Sequence, residues 1–147
     1  MKVRDVMTKS VATIRPDATI KDAAQLMQQH NVGSLPVVDS NGLVGIVTDR
    51  DIVVRNIAAG QDPMSTPVKN VMTSQVTTVT PEEDVHAISR MMSTRQIRRV
   101  PVVENQRLVG MVSLGDIATT GMTNMEASEA LTEISKPSKP LKTIATK

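Results

Sequence analysis

Gly45-Ile46-Val47-Thr48-Asp49-Arg50-Asp51 recurs 65 positions later as Gly110-Met111-Val112-Ser113-Leu114-Gly115-Asp116. Each copy follows an apolar, β-branched segment, leads into a predicted helix, and places a hydroxyl (Thr48, Ser113) three positions before a carboxylate (Asp51, Asp116). At a strand-to-helix turn, a hydroxyl and free helix N–H groups can donate to a phosphate, and a carboxylate can accept both hydroxyls of a ribose. An Asp at such a turn can also be only a helix cap. Two copies in register favour the ligand-binding interpretation.

The duplication extends over most of the chain. Shifted by 65 positions, residues 3–54 align with residues 68–119 without a gap. The matched positions are mostly apolar residues, glycine or proline, which set core packing and backbone geometry; Val3 matches Val68, and Pro16 matches Pro81. Because an internal repeat of this kind marks a repeated structural unit, we expect the same unit to form twice.

Each repeat predicts a strand, a helix, two strands and a second helix. Residues 11–14 and 76–79 are short apolar segments followed by a proline, and we predict a first strand in each. The first helix of repeat 1 has a capping box at Thr19 and Asp22, and apolar residues at helical spacing, namely Ile20, Ala23, Ala24 and Met27. Neither repeat has enough apolar area to be stable alone. The predicted class is therefore α+β, with two tandem β-α-β-β-α repeats packed sheet to sheet with pseudo-two-fold symmetry.

The last two strands of each repeat form a predicted hairpin. In repeat 1, strands over residues 34–38 and 43–48 flank Asn41-Gly42, which favours a tight turn. In repeat 2, the corresponding residues 104–107 contain no glycine, and we predict a looser turn. A second helix is predicted to begin near Asp51 in repeat 1 and near Asp116 in repeat 2.

Breaker residues and composition divide the chain. Residues 59–67 (Ala-Gly-Gln-Asp-Pro-Met-Ser-Thr-Pro) form the predicted joint between the repeats. Beyond residue 122 the repeat has ended; apolar residues at helical spacing predict a short helix, and the Lys- and Pro-rich end is predicted to be disordered. The expected organisation is repeat 1 at 1–59, a linker at 60–67, repeat 2 at 68–122, a C-terminal helix at 123–134 and a disordered basic tail at 135–147.

The composition argues against several classes of protein. The 17 Lys and Arg residues face 15 Asp and Glu residues, and a net charge of +2 is too small to argue for nucleic acid or an anionic membrane as a partner. No apolar run is long enough to span a bilayer, and the N-terminus lacks the apolar core of a signal peptide. Without cysteine there is no disulfide and no thiolate metal site. We therefore expect a cytoplasmic protein with no membrane segment and no metal site.

Several motifs together resemble one known family, the tandem CBS-domain proteins (Bateman modules). They are the Val-Met-Thr starts at 6–8 and 71–73, the Pro-Val-Val strands at 36–38 and 101–103, and the closing Gly-hydrophobe-x-Thr/Ser-x-x-Asp motifs. The overall plan resembles the small stand-alone CBS-pair proteins of Bacillus-like bacteria. The resemblance implies a three-stranded sheet with two helices per repeat, two ligand clefts between the repeats, and a homodimer formed through the helices. Its ligands would be adenosyl compounds (AMP, ADP, ATP or S-adenosylmethionine) that act as regulators rather than obligatory cofactors.

Carried over residue by residue, the resemblance implies two sets of ligand-binding residues. Asp51 and Asp116 would bind ribose, the hydroxyls of Thr48 and Ser113 would bind phosphate, and the remaining residues would supply adenine-binding backbone, apolar walls and phosphate-binding charges. The first cleft would use Thr13, Ile14, Arg15, Leu35, Pro36, Thr48, Arg50, Asp51, Arg98 and Arg99. The second cleft would use Thr78, Val79, Thr80, Val100, Pro101, Ser113 and Asp116.

The two clefts are not expected to be equal. In the family, basic residues shortly before the strand proline reach phosphates in the cleft of the other repeat. The second repeat has Arg98-Arg99 at this position, whereas the first repeat has Gly33-Ser34. The cleft at Asp51 is therefore predicted to receive two arginines and to prefer charged phosphates.

Two other functional classes remain open at this point. A nucleic-acid-binding or scaffold protein could use Arg95, Arg98, Arg99 and the basic tail, but the nearly balanced charge and the absence of aromatic rings count against it. An enzyme ranks last, because the sequence has no Ser/His/Asp set, no HExxH motif and no Walker phosphate loop, and we expect no catalytic residues. A sensor would act on an effector protein that the sequence does not identify.

Overall fold

The computed structural model describes residues 1–120 and 124–137. Short 3-10 turns cover Val3–Asp5 and Val68–Asn70. The helices are α1 (Ile20–His30), α2 (Asp49–Asp51, continued by a π-helix over Ile52–Ile57), α3 (Val85–Arg95), α4 (Leu114–Thr120) and α5 (Asn124–Ser135). The strands are β1 (Ser34–Asp39), β2 (Gly42–Thr48), β3 (Arg99–Glu104) and β4 (Arg107–Ser113). Strands β1 and β2 pair in one sheet and β3 and β4 in another, so the predicted α+β class is confirmed.

The first strand predicted in repeat 1 is reduced to a single parallel bridge between Ile14 and Val37. The N–H of Ile14 donates to the carbonyl of Pro36 at 3.0 Å, and the N–H of Val38 donates to the carbonyl of Ile14 at 2.9 Å. Extending the pairing toward residue 12 would need an N–H on Pro36, and extending it the other way would need one on Pro16. Proline has no backbone N–H, so the pairing stops on both sides.

Repeat 2 shows the same restriction. Val79 bridges Val102, with bonds to the carbonyl of Pro101 and from the N–H of Val103, and Pro101 and Pro81 block extension. The first strand predicted in each repeat is therefore present only as this one bridge. Among the described residues, each sheet has two strands instead of the three expected from the resemblance, with one isolated bridge beside it.

Both hairpins have tight, two-residue turns. In repeat 1, Asp39 pairs with Gly42, and Gly42 has a φ of +120°. In repeat 2 the strands are separated only by Asn105 and Gln106, which have φ values of 53° and 67°. The prediction of a looser second turn is wrong, because Asn is among the residues that tolerate the left-handed region and the neighbouring Gln106 adopts it as well.

The described chain divides into two compact units that do not follow the sequence repeats. One unit contains Thr8–Thr80 and Pro101–Met111; the other contains Met1–Met7, Pro81–Val100 and the described residues from Val112 onward. In the first of these, Val68 and Val71 from the start of repeat 2 belong to the core of repeat 1. Its buried apolar residues are Ile14, Ile20, Ala23, Met27, Leu35, Val37, Val47, Val68 and Val71.

The start of each repeat is therefore bonded to the other repeat. The N–H of Val68 donates to the carbonyl of Ala18 at 2.7 Å, and 65 positions earlier the N–H of Val3 donates to Glu83 at 2.9 Å. The same offset relates two further bonds, from Lys69 to Pro16 and from Arg4 to Pro81, each at 3.0 Å. Because these bonds match one for one, the two repeats use the same local interaction in separate units.

The segment between the repeats is hydrogen-bonded to the N-terminus of α1. The N–H groups of Ile20 and Lys21 donate to the carbonyls of Thr66 (3.0 Å) and Pro63 (2.9 Å). At the N-terminus of α3, the carbonyl of Met1 accepts from the N–H of Val85 at 3.0 Å. It corresponds to the carbonyl of Thr66 at the N-terminus of α1. First-turn N–H groups have no partner within their own helix, so this segment completes the capping of α1.

Helix α5 packs against α3 in the unit that contains repeat 2's helices. The side-chain amide of Gln96 donates to the carbonyls of Glu133 (3.0 Å) and Lys136 (3.2 Å) and so caps the C-terminal end of α5. Residues 121–123 and 138–147, which include most of the predicted tail, lie outside the described residues. No helix within the described ranges is long and apolar enough to cross a membrane.

Candidate functional site

The Thr48–Asp51 turn joins strand β2 to helix α2 through two reciprocal hydrogen bonds. The N–H of Asp51 donates to the hydroxyl oxygen of Thr48 at 3.1 Å, and the N–H of Thr48 donates to Oδ2 of Asp51 at 3.0 Å. Thr48 is thus the N-cap residue of a capping box, with extended backbone angles. The cap fixes the position of the hydroxyl and the carboxylate relative to the first turn of the helix.

The second motif has the same geometry. The N–H of Asp116 donates to the hydroxyl of Ser113 at 3.1 Å, and the N–H of Ser113 donates to Oδ2 of Asp116 at 3.1 Å. The motif therefore forms a helix cap in both repeats. The cap occupies Oδ2 of each aspartate, and in Asp51 the other oxygen, Oδ1, lies 3.8 Å from Nε of Arg55. A capping carboxylate has remaining lone pairs with which it can accept a hydroxyl from a ligand.

The residues proposed to read adenine in repeat 1 line a cavity on the α1 side. Thr13, Ile14 and Arg15 share this cavity, of ≈ 530 Å³, with Asp22 and other residues of α1. Thr13 also borders a second cavity of ≈ 310 Å³, together with Lys9 and Arg107. The structure therefore groups residues 13–15 with the exposed side of α1, and their contact with a ligand at Asp51 stays a prediction.

The proposed apolar walls are core residues. Leu35 and Val100 are fully buried, and the two strand prolines, Pro36 and Pro101, are buried as well. Ile14 and Val79, whose backbone is predicted to contact adenine, are almost fully buried. In contrast, the hydroxyl and charged members of the proposed clefts keep solvent contact. The exposed residues are Thr13, Arg15, Arg50, Thr78, Thr80, Arg98 and Arg99, and the half-buried ones are Thr48, Asp51, Ser113 and Asp116.

The difference between Gly33 and Arg98 has a local structural reason. The carbonyl of Gly33 accepts from the N–H of Asp49, and the carbonyl of Arg98 accepts from the N–H of Leu114, both at 2.9 Å. A Cβ atom on Gly33 would lie 2.9 Å from Oδ2 of Asp49. The short acidic side chain of repeat 1 therefore leaves little room for a side chain at position 33, whereas Leu114 stands at the corresponding place in repeat 2.

Arg98 and Arg99 are exposed, and neither guanidinium forms an ion pair within residues 1–120 and 124–137. They belong to one compact unit and Asp51 to the other. Their predicted role at the Asp51 cleft thus remains a prediction. Arg55, which contacts the Asp51 carboxylate, is a candidate site residue that the sequence interpretation did not include. Its spacing of four residues from Asp51 on a helix was the available signal.

Comparison with known proteins agrees with the repeat. The family model "CBS domain" matches residues 3–56 and again 68–121. Over 122 residues the chain is 47% identical to the CBS domain-containing protein YhcV of Bacillus subtilis, covering 83% of this chain and 86% of that protein. This relative confirms the resemblance to the small CBS-pair proteins of Bacillus.

Two solved structures show the same fold. Hypoxic Response Protein I, crystallised with two coordinated zinc ions, is 36% identical, with a TM-score of 0.75 over 82% of this chain and 98% of that one; a protein of this name comes from Mycobacterium tuberculosis. Within the described part of our chain, no group of three or more His, Cys, Asp or Glu side chains could hold a metal ion.

The other structure is the CBS domain pair of protein MJ0100 in complex with 5'-methylthioadenosine and S-adenosyl-L-methionine. It is 33% identical, with a TM-score of 0.71 over 81% of this chain and 94% of that one. Both halves of our chain match the family model, and the matched residues include both Thr/Ser-x-x-Asp turns. The chain therefore belongs to the CBS-domain family, as a tandem pair of the kind that serves as a regulatory module.

Proposed function

We propose that this CBS pair is a regulatory module that binds adenosyl ligands (AMP, ADP, ATP or S-adenosylmethionine) in clefts between its two repeats. The observation that carries the proposal is the pair of matching turns, in which Thr48 with Asp51 and Ser113 with Asp116 hold a hydroxyl and a carboxylate in the same geometry. A single capped turn would be ordinary. The same pair of groups, kept at both equivalent places, supports a common ligand chemistry.

The chemistry of the turn suits a ribose with an oxygen-bearing group, such as a phosphate, attached. The carboxylate accepts the ribose hydroxyls, and the hydroxyl donates to an oxygen of the ligand. Because the chain has no aromatic residue, adenine would be held between aliphatic side chains and backbone groups. Without ring stacking the affinity is expected to suit reversible sensing, and the ligand would select one arrangement of the protein. The adenosyl ligands of the MJ0100 CBS pair support this ligand class.

We further propose that a second copy of the chain binds the helix that follows Asp51. Val53, Val54 and Ile57 on the π-helix are 59%, 49% and 55% exposed. Three large apolar side chains on one short helix are unusual for a free surface. A homodimer formed through this helix would bury them one turn away from the proposed ligand carboxylate, and so place the interface next to the ligand.

The absence of Phe, Tyr, Trp and Cys makes a direct test possible, because the protein itself is nearly transparent at 260 nm. Nucleic-acid-free protein is dialysed against ATP, AMP, S-adenosylmethionine or 5'-methylthioadenosine, and the absorbance at 260 nm is compared on the two sides of the membrane. Excess absorbance on the protein side, lost in the double variant D51A/D116A, supports the proposal. Equal absorbance on both sides for every ligand would overturn it. A steep salt dependence of DNA or RNA binding would then favour the nucleic-acid-binding alternative.

A further inference from the structure

Arg55 contacts both the Asp51 carboxylate and the beginning of repeat 2. Its Nε lies 3.8 Å from Oδ1 of Asp51, and its Nη1 donates to the carbonyls of Val71 (3.1 Å) and Met72 (3.4 Å). The side chain of Arg55 is 52% exposed, whereas the side chain of Asp51 is only 13% exposed. A planar guanidinium can hold a carboxylate and a carbonyl at the same time through different nitrogens, so one side chain links the two groups.

The helix that carries Arg55 has an irregular backbone and contains a buried polar side chain. Ile52–Ile57 is a π-helix, in which the N–H of Ala58 donates to the carbonyl of Val53 at 2.9 Å. The neighbouring Asn56 is fully buried, and among the described residues neither atom of its side-chain amide has a hydrogen-bond partner. A buried amide without partners costs free energy, and π-helical turns are often found at functional sites. Other contacts must therefore hold this helix in place, and the bonds of Arg55 are among them.

The carbonyls that Arg55 binds belong to a segment that is tightly joined to strand β2. Immediately after Met72, Thr73 and Ile46 exchange two backbone hydrogen bonds of 2.9 Å each. A Cβ atom on Gly45 would lie 2.8 Å from the carbonyl oxygen of Thr73, so this close approach depends on glycine. Strand β2 in turn ends at Thr48, the partner of Asp51. A continuous series of contacts thus runs from Asp51 through Arg55 and Thr73 to Thr48, which is itself hydrogen-bonded to Asp51.

The second motif has a different residue at the position that corresponds to Arg55. The residue four positions after Asp116 is Thr120, where repeat 1 has Arg55. Threonine cannot supply a cation that bridges a carboxylate and two carbonyls. The two otherwise matching turns therefore differ in how they are connected to the rest of the protein.

We propose that Arg55 is a positioning residue that couples the charge of the Asp51 carboxylate to the segment at Val71–Thr73 where repeat 2 begins. The inference deepens the proposed function, on which its biological meaning rests: ribose hydroxyls that donate to Asp51 compete with Arg55 for the carboxylate. Occupancy of the first cleft then changes how firmly Arg55 holds the carbonyls of Val71 and Met72. The second repeat has Thr120 at the position of Arg55, so this arginine-dependent coupling is proposed for the first cleft.

The coupling is tested in the ligand-free protein by amide hydrogen exchange at Thr73, whose N–H is bonded to Ile46. Asp51→Asn removes the charge but keeps an oxygen for the N–H of Thr48, so the cap survives. We expect D51N to speed exchange at Thr73 about threefold, which corresponds to the free energy of a half-exposed ion pair. In an R55Q background, D51N should have almost no effect on this exchange rate. The matched control D116N removes the corresponding carboxylate charge and should leave Thr73 unchanged in both backgrounds.

A conservative variant separates coupling from a merely structural role. Arg55→Lys keeps the positive charge and should restore part of the D51N response that R55Q abolishes. An equal effect of D51N in the wild-type, R55Q and R55K backgrounds would overturn the proposal, as would identical behaviour of R55K and R55Q. Because these measurements need no ligand, they decide the role of Arg55 even if dialysis shows that no adenosyl ligand binds. If S-adenosylmethionine does bind, it should change exchange at Thr73 in the wild type and not in R55Q.

Discussion

The N–H of Val68 donates to the carbonyl of Ala18 at 2.7 Å, so the first residues of repeat 2 complete the core of repeat 1. The equivalent bond, from the N–H of Val3 to the carbonyl of Glu83, lies in the other unit. Both valines are fully buried. A single repeat, cut at its sequence boundary, would lose these contacts. Each repeat is therefore expected to need the other for its full stability.

We therefore expect Val68→Ala and Val3→Ala each to lower the free energy of unfolding by about 1–3 kcal/mol, because each removes two buried methyl groups and leaves a cavity. Urea denaturation followed by circular dichroism measures the loss. The control is Val32→Ala, since Val32 is 38% exposed and its truncation should change stability by less than about 0.5 kcal/mol. Losses of the same size in all three variants would contradict this account of the core.

The hairpin of repeat 1 offers a second test through glycine. Gly42 and Gly60 both have positive φ values, +120° and +75°. A Cβ atom at Gly42 would collide with the carbonyl of Gln106, whereas one at Gly60 would meet no atom of the described residues within 4 Å. Gly60→Ala should cost about 1 kcal/mol from backbone conformation alone, and Gly42→Ala should cost clearly more. Thermal unfolding of the two variants compares them, and an equal loss would show that the contact with Gln106 does not matter.

Local sequence patterns predicted the capped elements well. The capping box of Thr19 and Asp22 is present with bonds of 3.1 and 3.2 Å. Of the four expected apolar positions, Ile20, Ala23 and Met27 are buried, whereas Ala24 is exposed. These features depend only on neighbouring residues. The reduced first strands depend instead on which N–H groups Pro36 and Pro16 lack once the chain is folded, which an apolar pattern does not reveal.

Contacts between residues far apart in the chain could not be predicted from the sequence either. Nothing in the order of residues shows that Val68 packs in the core of repeat 1, because that contact joins parts of the chain 50 positions apart at Ala18. Arg55 was visible as a residue four positions after Asp51, but its bonds to Val71 and Met72 follow from the π-helix and the returning segment. The candidate site could thus be predicted as a motif and not as a connected structure.

Loss of the Asp51 carboxylate should weaken adenosyl binding at the first cleft. A hydrogen bond to a charged group contributes about 1.5–3 kcal/mol, which corresponds to a roughly 10- to 100-fold rise in Kd. We expect this rise for Asp51→Ala in a D116A background, where one cleft remains, as measured by equilibrium dialysis. Asp51→Asn in the same background keeps the helix cap and shows how much of the loss comes from charge. An unchanged Kd in D51A/D116A would place the ligand elsewhere.

The exposed face of the π-helix should decide self-association. Ile57→Glu puts a charge into the proposed interface, where its desolvation would be costly, so the dimer should dissociate to monomers at micromolar concentration in analytical ultracentrifugation. The control is Leu131→Glu, because Leu131 is a similarly exposed apolar residue on α5. Dissociation by L131E but not by I57E would move the interface to the C-terminal helix.

Arg98 and Arg99 should determine which ligands the Asp51 cleft prefers. In a D116A background, the double variant R98A/R99A is expected to weaken ATP binding about tenfold or more, since charge-assisted bonds to phosphate are lost. Binding of 5'-methylthioadenosine, which has no phosphate, should change little. Raising the salt concentration should shrink the ATP effect, because exposed charges are screened. Arg90→Ala is the matched control, an exposed arginine outside the proposed cleft. If R98A/R99A weakened both ligands equally, the arginines would support the fold of the cleft and would not select phosphates.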